Sequence, residues 1–289
     1  MAIGDLVTED YGFEYRGLAF GGTSDLAVPP GIRGLADNAD VQSSDRTRLR
    51  RHGLHPGDDF LLDREVIVPI EVTADSTALW ETNLDNLKTA MRTDHTRGEE
   101  PLVFQVPGVA GGGKRRILVR PRGLAADLDL DWFYEIPVQL ARFYATKPFI
   151  YDNDQTQVVS TILTAASSGL TWPLTWPLNW GTVSATSFTT TNDGNTDAEW
   201  VATIPGPVTN PQIQHVDQGL NLTFSIELTA GQELIVDSDS RTVLLDGTAS
   251  RYSTLSGDWF ALTPGANELS YRADAGSSII TISYRSTWS

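Results

Sequence analysis

The sequence predicts a mainly β protein in two parts: an α+β domain with one helix, then an all-β domain built as a β-sandwich or jelly roll. Three observations lead there. Apolar residues alternate with polar ones along most of the chain, the period of half-buried strands. A single segment carries a helical stripe. Composition changes midway: lysine stops at Lys147, and beyond it only Arg241, Arg251, Arg272 and Arg285 are basic. With 289 residues, two domains fit the usual domain size. The boundaries expected are 1–155 for the first domain, 156–183 for a linker and 184–289 for the sandwich.

Phe13 to Gly22 reads as a hairpin-like strand pair, and Ile32 to Leu35 as a short strand after the Val28-Pro-Pro-Gly31 turn. Asp37 to Asp59 has little periodicity, and a loop so long in a compact domain suits a contact arm. In Glu65–Val72, Val66, Val68, Ile70 and Val72 share one face, and Pro69 places the strand at an edge or a bulge. Asp75 to Thr93 is the helix. Asp75, Ser76 or Thr77 can cap it, and Trp80, Leu84, Leu87 and Met91 form one apolar stripe. Leu102–Val106 and Arg116–Arg120 flank a Gly-rich turn. Tyr134, Ile136, Val138 and Leu140 alternate along a further strand that runs to Tyr144.

The polar stretch Asp152 to Gly169 reads as linker. Trp172-Pro, Trp176-Pro and Trp180-Gly then make an extended strap, because the residue before proline is pushed out of the helical region. Its tryptophans are read as packing on a domain surface, with sugar stacking as the alternative. Leu220, Leu222, Phe224, Ile226 and Leu228 alternate without a miss. From Thr229 to Asn267 come three apolar segments divided by the turn dipeptides Asp246-Gly247 and Pro264-Gly265. Asn267 to Ala273 and Ser278 to Tyr284 complete the strands of a sandwich or jelly roll.

The absence of cysteine excludes disulfides and thiolate zinc sites and fits a reducing cytoplasm. No apolar run reaches the roughly eighteen residues of a membrane span. The start, Met1 to Asp10, lacks a basic region and an apolar core, so no signal peptide is expected. The net charge of -16 opposes gripping phosphate, which needs Lys or Arg. The basic clusters, Arg46 to Arg51 and Lys114 to Arg122, both lie in the first half.

Gly108-Val-Ala-Gly-Gly-Gly-Lys114 has the outline of a phosphate-binding loop, but Arg115 stands where the magnesium-holding Ser or Thr belongs, and a strand follows rather than a helix. A hairpin turn is the better reading. His52, His55, Asp58 and Asp59 have metal-like spacing, broken by Gly53, Pro56 and Gly57; a solvated loop is preferred. Asp127, Asp129 and Asp131 alternate with apolar residues and read as a solvated strand face rather than a carboxylate pair or a calcium loop. No nucleophile elbow or H-E-x-x-H motif is present. No catalytic, cofactor-binding or metal site is therefore assigned.

In order along the chain stand Phe13 to Gly21, Ile32-Arg-Gly-Leu35, Gly53 and Gly57, Arg64, Pro101-Leu-Val-Phe104 and Phe143 to Tyr151. Gly206 to Pro211, Ala230 to Asp237, Arg241-Thr-Val, Asp258 to Asn267 and Ile280 to Trp288 follow. With these residues the chain resembles the distal tail proteins of long-tailed, non-contractile bacteriophages, a family also described as phage minor tail proteins. Lys147 before Pro148 departs from the Asp-Pro expected there. The resemblance implies a structural virion protein without enzymatic activity, made in the host cytoplasm and residing in the virion tail. It implies a hexameric ring of tail-tube-like first domains between the tail tube protein and the tail tip, with the sandwich, galectin-like or carbohydrate-binding-module-like, on the outside. It also implies that DNA passes the lumen without specific binding, past acidic residues. Asp37 to Asp59 is the candidate arm between subunits. The alternative function is a carbohydrate-binding module that holds host surface glycans during adsorption, for which Trp259 is the test residue: core, or sugar platform.

Overall fold

The computed structural model describes residues 2–126, 130–161, 163–164, 187–276 and 278–289. The chain forms two units, Met1–Asn153 with Trp288–Ser289, and Asp154–Thr287.

The first unit is a nine-stranded sheet with helix Thr77–Ala90 against it. Its main path runs Leu18–Phe20, Gly12–Tyr15, Glu100–Gln105, Lys114–Ala125, Val138–Ala145, Arg64–Val72, Leu26–Ala27. Ile150–Asp152 pairs on one side with Lys114–Ala125 and on the other with Thr287–Trp288. The alternating strand Arg64–Val72 buries Val66, Val68, Ile70 and Val72 completely. Pro69 faces a gap on its outer side, between the bridge of Ile67 to Arg33 and the pairing of Glu71 with Ala27, so no ladder bond is lost there. The helix starts at Ser76, whose hydroxyl accepts from Leu79 N, and its stripe Trp80, Leu84 and Leu87 is buried, with Met91 at the C-cap.

Two expectations for this unit need correction. Ile32–Leu35 makes one bridge, through Arg33, rather than a strand. Tyr134, Ile136, Val138 and Leu140 do not form a buried strand face: all four are exposed, and the strand begins only at Val138. The buried face is Gln139, Ala141, Phe143 and Ala145. Register explains it. Ile70 lies opposite Gln139, Val68 opposite Ala141 and Val66 opposite Phe143, and directly paired residues share a face. A short helix, Leu130–Phe133, precedes this strand and turns Trp132 onto Trp80, ring centroids 5.7 Å apart.

The second unit is a sandwich. One six-stranded sheet runs Thr156–Thr161, Ile279–Tyr284, Trp200–Pro205, Glu233–Asp237, Thr242–Leu245, Ala249–Ser250. The other contains Leu163–Thr164, Gly265–Ala273, Gln212–His215, Leu220–Phe224 and Leu255–Gly257, with Ser187–Asn192 on Gly265–Ala273. Inward residues of both sheets share one core, including Trp200, Leu234, Val236, Val243, Ile213, Leu222, Phe224 and Tyr271. Thr156–Thr161 is thus a paired strand of this unit rather than linker. Of the three segments between Thr229 and Asn267, the first two are strands. The third is mainly a loop that buries Phe260 and Leu262 before strand Gly265–Ala273. The expected Trp-Pro strap at Trp172, Trp176 and Trp180 lies outside the described residues.

Candidate functional site

The Gly-rich loop is a hairpin turn between Glu100–Gln105 and Lys114–Ala125. Its glycines 108, 111 and 112 take positive φ, and the Arg115 side chain fills its inside. Arg115 Nε donates to Ala110 O at 2.7 Å, and the same guanidinium lies beside Gly111 and Gly113. Lys114 Nζ donates to Gly4 O at 3.2 Å. The space and the lysine that a phosphate would need are both taken.

His52, His55, Asp58 and Asp59 sit on a projecting two-stranded ribbon. Val41–Ser43 pairs with Asp59–Leu61, and Arg46–Thr47 with Leu54–His55. Among the described residues no three His, Cys, Asp or Glu side chains converge as a metal site requires. Asp131 lies in helix Leu130–Phe133 rather than on a strand, and Asp127 and Asp129 fall outside the described residues. Trp259 packs partly buried against the sandwich core, its Nε1 enclosed and without a hydrogen-bond partner. The cleft lined by Arg16, Arg92, Asp94 and Arg97, about 560 Å³, is occupied with internal pairing. Arg16 caps the helix end through Ala90 O and Arg92 O, both at 2.9 Å, and pairs with Glu100, while Arg97 faces Asp94 and Glu100.

What remains is the ribbon itself. Every residue from Asp40 to Asp63 is exposed, including Val41, Leu49, Leu54 and Phe60. A hairpin without a buried face is marginal in water, and exposed apolar residues in series mark an interaction surface. Its root is firmly built. The Arg64 side chain, buried, donates through one nitrogen to the carbonyls of Gly34, Leu35 and Asp37 at 3.0, 3.4 and 2.9 Å. Burial pulls the Arg64 pKa below its ordinary value. Gly34 must be glycine: a Cβ there would lie 1.9 Å from Glu65 O, at φ +81. Midway, Gly57 donates to Asp45 Oδ1 at 2.8 Å and lies against the Ser44 backbone, where a Cβ would sit 2.5 Å away. Arg64, Gly34 and Gly57 are all among the motif residues, and the ribbon explains them.

The sandwich motif residues are explained by turns. Asp237 Oδ1 accepts from Asp239 N and Ser240 N, and Arg241 follows with positive φ. Asn267, fully buried, ties down the Pro264-Gly265 turn through Thr263 and Gly265 and meets His215 Nε2 at 2.9 Å.

The described residues thus form two β-rich units, the first of which bears an exposed ribbon rooted at Arg64. Residues 193–288 match the family described as siphovirus-type tail component, C-terminal domain. The motif residues from Gly206 to Trp288 lie within the matched stretch, in agreement with the distal-tail resemblance. No curated protein matches by sequence. Among solved structures, the Dit protein of phage SPP1, described as a paradigm of the hub adsorption apparatus in phages infecting Gram-positive bacteria, shares the fold over 96% of this chain and 99% of its own. Its TM-score is 0.64 and its identity 16%. The activated baseplate of phage P2 with calcium matches over 90% and 91% of the two chains, at TM-score 0.47 and 9% identity. Its strontium form matches over 94% and 97%, at 0.49 and 8%. No helix among the described residues is long and apolar enough to cross a membrane.

Proposed function

We propose that the chain is the distal tail, or hub, subunit of a long non-contractile phage tail, and that copies of it close into a ring joining the tail tube protein to the tail tip. The observation that carries this is the arm: residues 40–63 are folded, firmly rooted and wholly exposed, which suits a segment ordered against a partner. Heterologous contacts of that kind close into rings. The first unit, which bears the arm, would build the ring. Six copies is the number the family implies. The role is structural, without catalysis. The chain would be made in the host cytoplasm and carried in the virion tail, and the net charge of -16 favours passage of DNA without sticking. Light scattering on a sizing column, followed by negative-stain imaging, tests the reading. Rings are expected, and a strict monomer at high concentration refutes it. A ring whose lumen is lined by arginine would refute the passage argument alone.

A glycan-holding role for the sandwich has thinner support. Among its described residues Tyr252 is the large aromatic left exposed, and Trp259 is turned to the core.

A further inference from the structure

The root of the arm holds a buried cation whose donors are only partly used. Arg64 is 4% exposed. Its Nη1 donates to the carbonyls of Gly34, Leu35 and Asp37. Its Nε and Nη2 are enclosed and have no acceptor among the described residues. Those two nitrogens share one edge of the planar guanidinium and point two N–H bonds the same way, a fork that matches an anion. We infer that this edge binds one small monovalent anion of the halide class, and that the ion helps to fasten the root of the arm.

Three observations select that ligand. The first is charge. Among the described residues no carboxylate forms an ion pair with Arg64. Asp37 favours its charged form, but the Asp37 carboxylate is turned to Gly34, accepting from its N at 3.2 Å. On the buried face of the strand, Val66 and the paired Ala145 are apolar and fully enclosed. Carbonyl dipoles satisfy donors without cancelling a charge, and an uncompensated buried charge is costly. One negative charge balances it. The second observation is the donor pair. Buried N–H groups need acceptors, and a single atom set between Nε and Nη2 serves both. A water there would satisfy the donors and leave the charge. The third is room. Both nitrogens expose essentially no surface, so a branched or elongated anion could not reach them with its remainder in solvent, whereas a single-atom ion can be enclosed. The site is complete within one chain and does not depend on ring closure.

The test exchanges sodium chloride for sodium gluconate, whose anion is too large for an enclosed site, at constant ionic strength. Chloride should raise the melting temperature of the first unit along a saturable curve, by roughly 5–10 °C at about a hundredfold excess over Kd. It should also slow amide exchange over residues 34–40. Arg64→Met, of similar length and without charge, should melt at the same temperature in both salts. Crystals of the unaltered protein grown with sodium bromide should show an anomalous peak in contact with Nε and Nη2, a readout that stands even where Arg64→Met fails to fold. Equal melting in both salts, with water at the fork and no anomalous peak, overturns the site. A bromide peak without any chloride-dependent shift marks an adventitious ion only and overturns it as well. A shift that persists in Arg64→Met places the anion elsewhere and likewise overturns it.

Discussion

Trp288 offers the sharpest test of how the first unit is built. It belongs to that unit although it follows the last residue of the sandwich unit. Its ring is buried in the core formed by the 13–150 strands, and the Arg115 guanidinium stacks 4.2 Å from its centroid. That guanidinium is held by Ala110 O and by Asp152 at 3.1 Å. Trp288→Ala removes the ring and leaves a cavity, which costs about 3–5 kcal/mol. The stacking, about 0.5–2 kcal/mol, is lost with the ring and overlaps that figure rather than adding to it. For a unit of this size the change lowers the melting temperature by roughly 6–20 °C. The assay is thermal unfolding coupled to limited proteolysis, with fragments identified by mass. New cuts should fall within residues 1–153 while the sandwich stays intact, although the substituted residue is next to the sandwich in sequence. Trp288→Phe, which keeps an aromatic face under Arg115, should lose less. An unchanged melting temperature, or cuts confined to the sandwich, would refute the assignment of Trp288 to the first core.

Other consequences can be measured with the same protein. Gly34→Ala drives a Cβ against Glu65 O and should cost more than about 1 kcal/mol while loosening the Arg64 clamp; amide exchange should rise over residues 34–40, and unaltered exchange there would count against the clamp. Trp259→Ala should destabilise the sandwich by about 3 kcal/mol, near the low end for such truncations because the ring is only partly buried; an unmoved urea midpoint would take Trp259 out of the core. Burial pushes the phenols of Tyr15 and Tyr271 up to about 12 from 10.0. Folded protein therefore keeps protons that unfolded chain has lost, so their stabilisation is whole below pH 10 and falls between pH 10 and 12. Tyr15→Phe and Tyr271→Phe should flatten that alkaline fall in the urea midpoint, and an equally steep fall in both variants would be contrary.

Much of the fold was legible because a strand with one buried face writes its period into the sequence. Val66 to Val72, Leu234 and Val236, Val243 and Leu245 all followed that rule, and the helical stripe from Trp80 was equally plain. Period is not phase, however. Residues 134–140 alternate apolar and polar, but the strand they lead into takes its buried face from its neighbour: Phe143 and Ala141 must meet Val66 and Val68. A shift of one residue turns every side chain to the other face. Leu130–Phe133 escaped notice for another reason. One turn of helix is too short to show a 3.6-residue period, and it exists here because Trp132 packs on Trp80.

The arm shows the opposite limit. Its strands pair through backbone and a few short polar bonds and bury nothing, so no hydrophobic period records them and Asp37 to Asp59 reads as an irregular loop. What the sequence does record is the anchorage. Gly34 lies against Glu65 O, Gly57 against Ser44, and Arg64 beneath three carbonyls; each is fixed by sterics or by hydrogen bonding within the chain, so each stands out as a motif residue.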